Sequence, residues 1–320
     1  MLVLGIETSC DETAAAVVRD GRKIISNVIA SSLALHKRYG GVIPEIASRA
    51  HVESIGYVVA EAIDKARINK HQIGLIAATA HPGLPGSLLV GSSFAKALSF
   101  ALKKPLVEVD HIKAHLYASF LETTQPRLPF VGLVVSGGHT ELFYVKKNWC
   151  FTRLGSTLDD AAGEAFDKVA RILNLGYPGG PIIDRLSRKA QNKTIRFGCA
   201  NIPDSHNFSF SGIKTAVLYF TQDKKKMRGV QLSDIAYAFQ KPVVEVLVEK
   251  AISACENKRV HTLVVGGGVA ANSYLRKRLL EEAKKKRIGV FCPQLNLCMD
   301  NAAMVAGLGF HLYTRKRGGA

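Results

Sequence analysis

No two cysteines of this chain stand in a C-x2-C pair. The six, Cys10, Cys150, Cys199, Cys255, Cys292 and Cys298, are scattered through 320 residues. A chain of that length needs no covalent staples to bury a core. They therefore read as reduced thiols of a cytoplasmic protein, not as a disulfide framework or a structural zinc knot. No uncharged apolar run reaches 18 residues, which excludes an ordinary membrane-spanning helix. The opening Met1–Glu7 reads as a first strand and has neither the basic segment nor the cleavage site of a signal peptide. Acid is also scarce, with 26 Asp and Glu against 43 Lys and Arg, a formal net charge of +17. With 47% hydrophobic and 22% charged residues, what remains is a soluble globular protein with room for two domains.

The excess of base is carried in runs at Lys224–Arg228, Arg276–Arg278, Lys284–Arg287 and Arg315–Arg317. Any one run reads as a solvated helix face or a tail. Together they favour a polyanionic partner, because a field of one sign steers phosphates and counterion release stabilises the complex. None lies on an apolar stripe, which disfavours a membrane surface.

Three glycine-rich turns, Gly5–Thr13, Val134–Thr140 and Val264–Asn272, each follow an apolar, β-rich run and so should sit at strand ends. Backbone N–H groups in such turns can surround phosphate oxygens. The spacing is not G-x-G-x-x-G, which disfavours a dinucleotide fold. Leu2–Glu7, Ala14–Val18 and Lys23–Ala30 read as a meander. The pair Val131–Val135 and Glu141–Val145 repeats its opening hairpin. Helices are expected at Ile43–Arg67, Ser87–Leu102, Ile112–Glu122, Leu158–Leu173, Ile182–Lys189, Ser233–Glu256, Asn272–Lys285 and Asn301–Tyr313. Strands and helices alternating twice predict an α/β protein of two lobes with a cleft between them. The first lobe is expected over residues 1–108, with the C-terminal helix of about 301–320 returning to it, and the second over 109–300.

His111 and His115 are spaced i, i+4 after the short strand Leu106–Val109, which would put both imidazoles on one helical face at a strand end. Asp300 is a candidate third ligand, although a residue there could equally be only a helix N-cap. Two histidines and one carboxylate leave coordination positions open, as catalytic sites do. The residue after His111 is Ile112, not Glu, so the base of an H-E-x-x-H peptidase is missing. Asp11 and Glu12 sit in a turn that a phosphate would otherwise keep free of acid. They make sense if they handle a metal, a proton or an amine, and are the candidate catalytic carboxylates. Asp167 and Asp184 flank a Pro-Gly-Gly-Pro turn, and Asn272 could bond a hydroxyl at the third glycine turn.

Taken together, Gly5–Thr13, Gly40–Glu45, Ser48–His51, Pro82–Gly91, His111–His115, Ser136–Thr140, Asp159–Lys168, Tyr177–Asp184, Asn207–Gly212, Gly266–Asn272 and Asp300–Asn301 resemble the TsaD family of tRNA N6-adenosine threonylcarbamoyltransferases, once described as O-sialoglycoprotein endopeptidases. The resemblance runs over essentially the whole chain and implies the actin, sugar-kinase and Hsp70 (ASKHA) fold. It implies one divalent ion, iron(II) with zinc as the alternative, on His111, His115 and Asp300. It places the substrate threonylcarbamoyl-AMP against Val134, Val135, Ser136, Gly137, Gly138, Asp167, Gly180, Asp184 and Asn272. The implied reaction moves threonylcarbamoyl to N6 of adenosine 37 in tRNAs reading codons that begin with A, with TsaB-like and TsaE-like partner proteins, in the cytoplasm.

Three positions depart from the family pattern. His81 and Glu108 stand where glycine is common, and Asp110 replaces an asparagine beside the metal histidine, where it could orient His111 or add charge. Other readings are a metal-dependent hydrolase or peptidase, against which the missing glutamate counts, a nucleotide-gated interaction module, and a carbamoyltransferase or sugar kinase on the same fold.

Overall fold

The computed structural model describes residues 1–121, 125–147 and 149–318. In chain order the elements are β1 (Leu2–Glu7), β2 (Glu12–Arg19), β3 (Lys23–Ser31), α1 (Leu33–His36), α2 (Pro44–Lys65), β4 (Ile73–His81), α3 (Pro85–Leu102), β5 (Leu106–Asp110) and α4 (His111–Tyr117). They continue with β6 (Phe130–Val135), β7 (Thr140–Val145), β8 (Phe151–Ser156), α5 (Ala162–Ile172), α6 (Gly179–Ser187), α7 (Ser211–Gln222), α8 (Leu232–Lys258), β9 (Thr262–Gly266), α9 (Ser273–Lys285), β10 (Gly289–Phe291) and α10 (Ala302–Gly318). The chain forms two compact units, residues 1–125 with 293–320, and residues 126–292.

The first unit holds a sheet of order β3-β2-β1-β4-β5, antiparallel across β1, β2 and β3 and parallel from β1 through β4 to β5. β1 is central and almost wholly buried, as a strand covered on both faces must be. Its alternate residues face different layers. Leu4 and Ile6 join Val17 and Val28 in a core with Ile55, Val58, Val59 and Ala62 of α2. On the other face α10 crosses β1, β2, β4 and β5. Gly5 lets it approach, since a Cβ there would lie 2.2 Å from the Ala302 carbonyl oxygen. Glu7 shares that face by the two-residue period of a strand.

The second unit repeats the plan, with order β10-β9-β6-β7-β8, so that β6 takes the place of β1. α8 packs on β6, β7 and β9, and Phe166 of α5 meets Phe239 of α8 edge-on at 5.1 Å between ring centroids. This shared strand order, in two α/β units, has the form expected of the actin, sugar-kinase and Hsp70 fold.

Several expected bounds move. The first unit runs to Gln125 rather than ending at residue 108, because β5 pairs with β4 and α4 packs against α10. α4 stops at Tyr117 and passes into a 3-10 turn over Ala118–Phe120; Glu122, the expected last residue of that helix, lies outside the described residues. The helix expected from Leu158 starts at Ala162, since Thr157 Oγ1 bonds the Asp160 carbonyl and holds a turn before it. β8 and α7 were not expected. Among the described residues no helix is long and apolar enough to cross a membrane.

Candidate active site

Strand ends assemble the first group. β1, β4 and β5 lie side by side and parallel, so their C-terminal ends bring Glu7, Thr79 and His111 together from distant parts of the sequence. Asp110 begins α4 by accepting a hydrogen bond from the Lys113 backbone N–H at 3.0 Å, which is the ordinary work of an N-cap. His111 and His115 then project from the first turns of α4, both buried, with ring centroids 4.6 Å apart. Asp300 arrives from just before α10. That helix is capped by Asn301, whose Oδ1 accepts from the Met304 N–H at 3.0 Å, leaving the Asp300 carboxylate turned to the histidines. Its Oδ1 is 3.2 Å from His115 Nε2 and 3.6 Å from His111 Nε2.

This geometry has the form of a cation site. One donor atom from each of His111, His115 and Asp300 lies within 4.8 Å of the others. His115 is 1% exposed, and among the described residues neither of its ring nitrogens has a hydrogen-bond partner. A buried imidazole left without partners is costly, and an ion accepting its Nε2 lone pair removes that cost. Two nitrogens and an oxygen suit a borderline divalent transition metal and leave positions open for a ligand. The residues fit.

The surroundings are strongly coupled in charge. Burial alone would lower the pKa of His111, but the carboxylates of Glu7 and Asp300 outweigh it and lift the ring to about 9 in the metal-free chain. Burial would raise that of Glu7, yet the His111 charge and hydrogen bond hold it below the usual carboxylate range. Glu12 behaves oppositely. Burial, then the negative charges of Asp300 and Asp11, push it up to about 9, so it keeps its proton at neutral pH. Burial and the acids beside it raise the Cys10 thiol far above the reactive range.

Asp11 and Glu12 do not project freely from a loop. Both are less than 10% exposed, and Glu12 already belongs to β2. Their turn is pinned by its own carbonyls. His51 Nε2 lies 3.0 Å from the Cys10 oxygen while its Nδ1 meets Thr13 Oγ1 at 2.7 Å. Ser32 Oγ donates to the Asp11 oxygen at 2.8 Å. The Ser48–His51 segment marked by the resemblance thus supports the acidic turn from below.

The departures from the family pattern are partly explained by their placement. His81 and Asp110 are register partners on β4 and β5, with His81 Nε2 3.6 Å from Asp110 Oδ2. Asp110 also pairs with Lys113 at 2.8 Å. It does not orient His111; Glu7 is the carboxylate on that ring. Glu108 is exposed on β5, and nothing in the structure explains it.

The second group lies wholly within the second unit and is made mainly of backbone. Val134 and Val135 are buried in β6. Ser136 closes the turn, its N–H donating to the His139 carbonyl at 2.8 Å and its Oγ accepting from the His139 N–H at 3.1 Å. Gly137 and Gly138 are exposed, and a Cβ on either would meet nothing within 4 Å. Below them, Gly163 donates its N–H to the Ser136 carbonyl, and a Cβ at Gly163 would collide with that oxygen at 2.5 Å.

From there a hydrogen-bonded chain joins the remaining residues. Asp167 of α5 accepts from the Gly179 N–H at 2.7 Å at the start of α6, and burial, offset by the Gly179 and Gly180 N–H groups, raises its pKa. Asp184 of α6 accepts from Ser273 Oγ at 2.8 Å and from Arg188 at 2.7 Å. Asn272 caps α9 through the Leu275 N–H, and its Nδ2 donates to Gln240 at 2.8 Å. Gln240 and Thr79 carried no signal in the sequence, and Glu7 and His51 lay in segments the resemblance marked without a role of their own. Only the fold brings them to the groups they hold.

The family model of TsaD, tRNA N6-adenosine threonylcarbamoyltransferase, matches residues 23–307. The chain belongs to the TsaD family. It is 51% identical to a tRNA N6-adenosine threonylcarbamoyltransferase of Clostridium botulinum (strain 657 / Type Ba4) over 98% of this chain and 93% of that one. It is 52% identical to the one of Thermosipho africanus (strain TCF52B), over 98% and 95%. In fold it resembles component A of the Acidaminococcus fermentans (R)-2-hydroxyglutaryl-CoA dehydratase, at TM-score 0.59 and 16% identity over 98% and 99% of the two chains. TsaD-family membership makes this chain a transferase.

Proposed function

We propose that this chain transfers the threonylcarbamoyl group from threonylcarbamoyl-AMP to N6 of adenosine 37 in tRNAs reading A-starting codons. The observation that carries the reading is the coincidence of family membership over nearly the whole chain with a His-His-Asp cluster in which the buried His115 nitrogens make no hydrogen bond among the described residues. His111, His115 and Asp300 would hold one divalent ion, iron(II) in our reading. When bound, it supplies Lewis acidity toward the carbamoyl carbonyl oxygen.

The chain's own residues have the other tasks. The open N–H groups around Gly137 and Gly138, backed by Val134, Val135 and Ser136, receive the phosphate of the leaving AMP, where backbone donors are pre-oriented for negative charge. Asp167, Gly180, Asp184 and Asn272 orient the nucleoside. N6 attacks the carbamoyl carbon, the bond to AMP breaks, and the amine must lose a proton. Asp11 is assigned that proton. Glu12, which keeps its own proton up to about 9, donates a hydrogen bond instead and is the weaker candidate for base.

The net charge of +17 suits a tRNA substrate. TsaB-like and TsaE-like proteins are the expected partners, and the setting is cytoplasmic. The test is mass analysis of tRNA nucleosides after incubating the purified chain with threonylcarbamoyl-AMP, with and without those partners. Threonylcarbamoyladenosine in either reaction supports the reading. Unmodified adenosine in both would refute it.

A further inference from the structure

We infer that Glu7 is a positioning residue for the metal centre, fixing the ring orientation and the proton of His111 so that Nε2 is the atom offered to the ion. The inference rests on the reading of His111, His115 and Asp300 as a metal site.

Glu7 is 0% exposed, at the end of a central strand and on the face that Val3 and Gly5 share. An acid there is a costly choice for a core position unless each of its oxygens is matched by a donor. Each is. Oε1 accepts from the Ser9 backbone N–H at 2.6 Å, and Oε2 accepts from Thr79 Oγ1 at 2.6 Å while facing His111 Nδ1 at 3.0 Å. A carboxylate can only accept at Nδ1, so His111 carries its proton on that nitrogen. Ser9 Oγ, 3.1 Å from the same Nδ1, shares that proton as a second acceptor. Nε2 is then the nitrogen that gives up its proton to an arriving ion, on the side where Asp300 Oδ1 lies at 3.6 Å.

The two histidines are therefore built differently. His115 Nδ1 has no hydrogen-bond partner among the described residues, so no carboxylate aims its ring from that side. His111 is aimed by a carboxylate that Thr79 and Ser9 hold in turn. Carboxylate–imidazole–metal relays of this kind orient the ligand and raise its basicity. Glu7 and Asp300 also place two carboxylates about the two rings, which suits a dication.

The experiment measures metal affinity, separately from transfer. Full-length protein stripped of metal is titrated with Co(II) in competition with a chelating indicator. The visible cobalt spectrum is recorded alongside, and thermal unfolding of the metal-free chain is the control. Wild type should take one ion, and His111→Ala should lose it. Glu7→Gln should bind about 10- to 100-fold more weakly with a changed spectrum, because a glutamine must turn its NH2 toward either the Ser9 N–H or His111. Thr79→Val is nearly isosteric and frees one carboxylate oxygen. It should weaken binding several-fold with little change in melting, and it decides alone if Glu7→Gln does not fold. Wild-type affinity and spectrum in the folded variants would overturn the role of Glu7 while leaving the metal site standing. A wild type that takes no cobalt would overturn the metal reading itself, and this inference with it.

Discussion

The two units share one strand order and use it for opposite purposes. In the first, the candidate site is made of side chains, with Glu7, Asp11, Glu12, His111 and His115 almost fully buried at the strand ends and Asp300 partly buried beside the histidines. In the second, the equivalent turn after the central strand offers Gly137 and Gly138, exposed and without neighbours above them. Charge divides the same way. Residues 126–292 contain 27 of the 43 Lys and Arg but 14 of the 26 Asp and Glu, leaving +13 there and +4 in the remainder of the chain. A duplicated scaffold has thus diverged into a side-chain site that concentrates charge internally and a backbone site on a unit that carries its charge outside. Fold alone would not have separated them.

The largest effect expected from breaking this contrast is at the histidines. His111→Ala or His115→Ala should abolish stoichiometric metal and reduce transfer by about a thousandfold or more, on the scale of losing a principal electrostatic stabiliser. Elemental analysis beside single-turnover rates checks this, and equal metal content in wild type and variants would remove the site.

Next comes Asp11→Asn. It should bind adenylate and tRNA nearly as the wild type does yet transfer about a hundredfold more slowly, as the loss of a general base predicts. Rapid-quench kinetics at saturating substrate read the step directly. A wild-type rate in both this variant and Glu12→Gln would send the proton by another route.

The backbone site should answer to bulk rather than to charge. Gly137→Val and Gly138→Val have room for their side chains in the free protein, so melting should hardly move. Adenylate affinity should fall by about tenfold, or ~1.4 kcal/mol, in equilibrium binding to a non-transferable analogue. A variant that binds normally would show that the phosphate lies elsewhere.

The smallest and most graded effect concerns charge. Log tRNA affinity should fall linearly with log salt. Neutralising Lys224, Lys225 and Lys226 should flatten that slope by roughly one for each tRNA phosphate that no longer meets a cation. Neutralising Lys37 and Arg38 of the first unit should leave it nearly unchanged. Equal flattening by the two sets would erase the asymmetry between the units.

Much of this was legible in the sequence where the signal is local. The i, i+4 spacing of His111 and His115 needed only a helix. The hairpins around Gly5–Thr13 and Val134–Thr140 needed only strand runs and turns. Asp300 stood as a candidate third ligand with a helix cap as its alternative, since no local pattern distinguishes a ligand from the cap that Asn301 provides. β8 was missed because Phe151–Ser156 has two exposed polar residues and a glycine where an alternating pattern would be read. α7 was missed because it starts at Ser211-Gly212, a poor helix opening. It is set there instead by Asp159, which accepts from the Phe210 and Ser211 N–H groups at 2.7 and 3.3 Å. Glu7 and Thr79 were illegible as site residues for a simpler reason. Each looks like a strand terminus until parallel pairing places them beside His111.

The close seat that Gly5 gives α10 has a consequence for how the protein is made. Both histidines leave the ribosome early, whereas Asp300 and the helix behind it follow the whole of residues 126–292. The second unit is continuous in sequence and can close as it emerges, in the manner of domains folding during synthesis. The first must wait with one face of its sheet uncovered until α10 arrives. A chain halted anywhere before Asp300 would hold two histidines and no carboxylate. On the metal reading proposed above, tight uptake of an ion would thereby be reserved for chains whose translation ran past Asp300.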